Sequence, residues 1–103
     1  MGIIKDVVKE EYQRLNELVN LYNQKIAAFP KGSISRKKRQ DKVYYYLAYR
    51  DHSKVKFEYL GKEESEKYKE VSQKVAQRLR YEKKLKESME SLKEVEVLLR
   101  VAK

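Results

Sequence analysis

The apolar residues of this chain change their spacing twice, at residues 30–32 and again near Lys62, and this limits the fold more than any other feature. From Ile4 to Phe29 they recur as Ile4, Val7, Val8, Tyr12, Leu15, Leu18, Val19, Tyr22, Ile26 and Phe29. Steps of three and four place them on one side of a helix, predicted over residues 4–29. Pro30 cannot extend the hydrogen-bond ladder and biases Phe29 away from helix; Gly32 follows as a second stop.

Between Ser33 and Leu60 the period falls to two, with Val43, Tyr45, Leu47 and Tyr49 alternating with Tyr44, Tyr46, Ala48 and Arg50. Val55, Phe57 and Tyr59 alternate likewise with Lys54, Lys56 and Glu58, and Asp51-His52-Ser53 supplies turn chemistry between the two runs. Setting residue 50 opposite 54 gathers Tyr45, Leu47, Tyr49, Val55, Phe57 and Tyr59 on one face, expected to be core. Tyr44, Tyr46, Arg50, Lys54 and Lys56 then form the other face. The basic run Arg36, Lys37, Lys38 and Arg39 fits an edge strand ahead of these, completing a three-stranded antiparallel meander over 33–60.

The helical period then returns over 63–102, with Tyr68, Val71, Val75, Leu79, Leu85, Met89, Leu92, Val95 and Leu99 as its stripe. Glu63, Glu64 and Glu66 suit the positive end of that helix. The expected fold is therefore α+β: an N-terminal helix, a β-meander and a long C-terminal helix, in a single domain of residues 1–103. The two helices are expected to pack as an antiparallel, coiled-coil-like hairpin carrying the sheet at one end.

At 1.5 Å per residue these helices span about 39 Å and about 60 Å. If they diverge from Phe29 and Lys62, the first helix reaches only residue 89 or 90 of the second. The last dozen residues would then lack a partner, and Leu92, Val95, Leu98 and Leu99 are the candidate interface for a homodimer or a second protein.

Charge is as unevenly distributed as spacing. The net charge of +9 resides mostly in residues 31–62, which carry ten basic and three acidic residues, for +7; residues 1–30 sum to zero. Five of the nine tyrosines lie in 42–62. Positive charge attracts phosphate and releases condensed counterions, and exposed rings can stack on unpaired bases. The candidate nucleic-acid-binding residues are Arg36, Lys37, Lys38, Arg39, Lys42, Tyr44, Tyr46, Arg50, Lys54 and Lys56.

Catalytic inventory is sparse. His52 is the one histidine, there is no cysteine, and glycines stand only at 2, 32 and 61. No histidine-based metal site, acid–base pair or phosphate loop can be assembled from these. The expectation is a non-enzymatic protein with no cofactor and no bound metal. No run approaches the roughly 20 apolar residues of a membrane helix, so no membrane association and a cytoplasmic location are expected.

Residues 32–62, with Gly32-Ser33-Ile34, the run YYYLAYR and the run KVKFEYLGK, resemble short uncharacterised bacterial and archaeal helix–sheet–helix proteins. They are also similar to the N-terminal sheet segments of some transposases and integrases. That likeness implies a DNA-associated accessory module from a mobile element, and no catalytic residues. The leading expectation is a small, dimeric nucleic-acid-binding protein, DNA or RNA, acting through a basic and aromatic sheet face. The alternative is a protein–protein module, an adaptor, inhibitor or antitoxin-like partner, binding through the long C-terminal helix.

Overall fold

The computed structural model describes residues 2–101 and runs α1 (Gly2–Ala27), β1 (Ser33–Arg39), β2 (Lys42–Asp51), β3 (Lys54–Gly61) and α2 (Glu66–Val101). The helix–sheet–helix order is as the periodicity predicts. By packing, the chain divides into two compact units: α1 with α2 from Arg80 onward, and residues 28–79, which hold the sheet and the first part of α2.

In the first unit the helices pair antiparallel. Tyr22 of α1 meets Tyr81 of α2 with ring centroids 6.0 Å apart. One heptad back along α1 lies Leu15, buried, and one heptad forward along α2 lies Ser88, also buried. Along α2 the covered positions are Tyr81, Leu85, Ser88, Leu92, Val95 and Leu99, in alternating steps of four and three. Along α1 the matching series is Val8, Tyr12, Leu15, Val19, Tyr22 and Ile26. Leu79 and Met89, expected in the stripe, lie off this seam and are exposed.

This seam corrects the expected partner interface. Val95 is buried and Leu92 and Leu99 are half-buried, so among the described residues the seam continues to Leu99; of the four candidates only Leu98 is exposed. The offset has a physical cause in the second unit. Tyr68, Val71 and Val75 of α2 are committed to the sheet, and Arg78 Nη1 donates to the Phe29 carbonyl at 2.8 Å, just beyond the end of α1. Pairing with α1 therefore begins near Tyr81 and not at Lys62, and α1 is long enough to cover the rest.

In the second unit the sheet order is β1-β2-β3, antiparallel throughout. Its core is Leu47, Leu60 and Val75, flanked by Ile34, Tyr45, Tyr49, Tyr68 and Val71. Burying each aliphatic side chain contributes about 2 kcal/mol. Tyr45 stacks on Tyr68 of α2 with centroids 4.1 Å apart, fixing which sheet face meets the helix.

The β3–α2 connection is tight. Ser65 caps α2: its Oγ accepts from the Tyr68 amide at 3.1 Å and donates to the Leu60 carbonyl at 2.8 Å. That cap starts α2 at Glu66, later than the expected residue 63. Gly61 has φ +107°, and a Cβ there would lie 2.8 Å from Ser65 Oγ, so only glycine fits.

Candidate nucleic-acid interface on the open sheet face

The β2–β3 register differs by one residue from the sequence expectation. Asp51 pairs with Lys54, Arg50 with Val55, Ala48 with Phe57 and Tyr46 with Tyr59. The cause is the length of the turn. His52 and Ser53 alone form the loop, with His52 at φ +58°, whereas a three-residue turn underlay the expected pairing. Since strand side chains alternate, one residue of slip exchanges the faces of β3. Val55, Phe57 and Tyr59, expected in the core, lie on the open face and are about half exposed. A bulge between Tyr45 and Tyr46 in this ladder brings Tyr45 opposite Gly61, and Leu60 beside it is 2% exposed.

The β1–β2 pairing completes the assignment: Lys37 lies opposite Tyr44, Arg36 opposite Tyr45 and Lys38 opposite Val43. Paired residues share a face, so the open face carries Lys37, Arg39, Lys42, Tyr44, Tyr46, Arg50, Val55, Phe57 and Tyr59. No strand residue on that face is acidic. Arg36, Lys38, Lys54 and Lys56 fall on the opposite, helix-packed face, contrary to the expectation that all ten candidates act together. There Lys56 is neutralised by Asp51, Nζ to Oδ2 2.7 Å, and Glu58 pairs with Lys67 of α2 at 3.2 Å.

On the open face the rings form one group. Tyr59 lies 5.4 Å from Tyr46 and 6.3 Å from Tyr44, tilted by 57° and 47°. Lys37 Nζ stands 4.3 Å from the Phe57 ring centroid and 5.2 Å from that of Tyr46, held by cation–π attraction. Arg39, Gln40, Lys42, Tyr44, Tyr46 and Tyr59 line a recess of about 550 Å³. Phe57 and Tyr59 were missed from the sequence because the expected register turned them inward. The signal that would have found them is the two-residue loop.

Other chemistry is limited. His52 is exposed at its turn, 3.6 Å from Asp51. Among the described residues, no group of three or more His, Asp or Glu side chains is placed to hold a metal ion. No helix among them is long and apolar enough to cross a membrane.

The fold and this face define a class: a helix–sheet–helix protein with a cationic, aromatic, uncovered sheet surface. The chain belongs to the DUF6788 family, described as a domain of unknown function, whose model matches residues 7–73 and so spans every residue of the open face. That match carries no transposase or integrase similarity. Comparison with curated proteins and with solved structures gives no match.

Proposed function

We propose that the protein is a non-enzymatic nucleic-acid-binding module acting through the open face of its sheet. The observation that carries this is compositional and geometric together: Lys37, Arg39, Lys42 and Arg50 share one face with four aromatic rings, and no strand carboxylate opposes them there. A field of one sign beside uncovered rings is costly in water and matched by a polyanion that carries bases.

The test is a titration of labelled oligonucleotides across salt concentrations. Four contacting cations give log affinity against log salt a slope of about −3 on single strands and about −4 on duplex. Replacing Lys37 and Arg39 with glutamine flattens the slope by about 1 to 2, whereas Lys54→Gln with Lys56→Gln leaves it unchanged. Affinity indifferent to salt, or lost equally with both pairs, contradicts the reading.

A second reading concerns the helical unit. Ile3, Ile4, Val7, Val97, Leu98 and Val101 are exposed, and antiparallel pairing brings the start of α1 level with the end of α2. The neighbouring charges are mixed: Lys5, Lys9 and Arg100 against Asp6, Glu10, Glu94 and Glu96. That balance lets a second copy of this chain cover the patch without repulsion, which the strongly basic sheet does not allow. Sedimentation equilibrium tests it: a dimer is expected, and Val7→Glu with Leu98→Glu makes it monomeric. A monomer for the unaltered chain at high micromolar concentration contradicts it.

A further inference from the structure

Resting on the nucleic-acid reading of the same face, we infer that its ligand is single-stranded, held by unpaired bases that enter the rings around Tyr59 while phosphates meet the cations at the edge. A duplex hides its base faces in its own stack and offers a protein only base edges and phosphates. The middle of this face, however, is aromatic. Tyr59 lies 5.4 Å from Tyr46 and 6.3 Å from Tyr44 across the strand pair, tilted by 57° and 47°, so it is stacked flat on neither and leaves ring surface for a guest. Phe57 and Tyr59 are 51% and 50% exposed, more aromatic surface than a plain solvent-facing sheet requires.

The cations are arranged to suit a single strand. Arg39 and Lys42 share the walls of the 550 Å³ recess with the three tyrosines, so a base seated among the rings has positive charge beside its phosphate. Lys37 is drawn to ring level, 4.3 Å from Phe57, where it meets the phosphate of a neighbouring nucleotide. Arg50 stands on the same face near the far end of β2. Stacking is indifferent to base identity, because every base has a π face, so little sequence preference is expected. DNA and RNA single strands share this chemistry.

Oligodeoxyuridylate, oligouridylate and a mixed duplex, each of about twelve nucleotides, are titrated over one series of salt concentrations, a length within one small sheet's site size. The single strands are expected to bind at least about tenfold more tightly than the duplex, and the comparison of the two single strands, which differ only at the 2′ position, identifies which sugar is preferred. Tyr46→Leu and Tyr59→Leu each lower single-strand affinity by about tenfold with the salt slope unchanged, because they remove a ring and no charge. Tyr46→Phe and Tyr59→Phe retain the affinity; this separates stacking from loss of folding or of a hydroxyl. Equal or tighter duplex binding, or full affinity in the leucine variants, overturns the single-strand inference and leaves the nucleic-acid reading standing. Absence of binding to all three probes overturns both.

Discussion

Tyr46 lies directly opposite Tyr59 in the β2–β3 ladder, and their rings meet at 5.4 Å on the face turned away from α2. That one pairing decides which residues of β3 are surface. With Tyr45 opposite Tyr59 instead, Phe57 and Val55 would turn toward the helix and Lys54 and Lys56 toward the open face. Backbone Overhauser contacts across the two strands are therefore expected between 46 and 59, and between 48 and 57. Contacts between 45 and 59 and between 47 and 57 would contradict the register.

Stability separates the two faces. Leu47 is 5% exposed and central to the sheet core. Leu47→Ala is expected to cost about 3 kcal/mol in urea unfolding, through lost burial and the cavity left behind. Phe57→Ser on the open face is expected to cost less than about 1 kcal/mol despite removing a larger side chain. Equal losses would mean that Phe57 is core.

The one-residue difference in register shows what was legible in the sequence. The strands, their order and both helices follow from periods of two and of three to four, since each period commits a run to one geometry. Register depends on turn length, and Asp51-His52-Ser53 has no glycine to mark where the chain reverses. His52 takes a positive φ without one. The rule that apolar residues face inward fails on a sheet whose outer face is itself aromatic. The same rule selected Met89 over Ser88 in α2, where the small side chain is the buried one.

The β3–α2 corner carries a coupled pair. Ser65→Ala removes the cap and is expected to cost about 1 kcal/mol. Gly61→Ala forces a side chain into a positive-φ site against Ser65 Oγ and is expected to cost about 1 to 3 kcal/mol. Combined, they are expected to cost less than the sum, because the alanine at 65 removes the nearest clashing atom. A strictly additive cycle would place the strain elsewhere.

Alkaline pH probes the sheet–helix contact. Burial, with smaller contributions from Tyr45 and Glu63, holds the Tyr68 hydroxyl above the ordinary tyrosine range. The unfolded chain therefore releases this proton first, near its ordinary value of about 10. The stabilisation is fully present below that pH and is lost as pH rises through the folded value. Thermal melts of the unaltered protein are expected to fall more steeply above about pH 10 than those of Tyr68→Phe. Parallel curves would contradict an upward-shifted Tyr68 hydroxyl.

Side-chain aromatic resonances give the sharpest discrimination, because the chain carries reporters on both sheet faces. On titration with a short single-stranded oligonucleotide, the ring signals of Tyr44, Tyr46, Phe57 and Tyr59 are expected to shift together, while those of Tyr45, Tyr49 and Tyr68 stay in place. Movement of the second set with the first unchanged, or no ring movement under conditions of saturation, would contradict recognition through the open face.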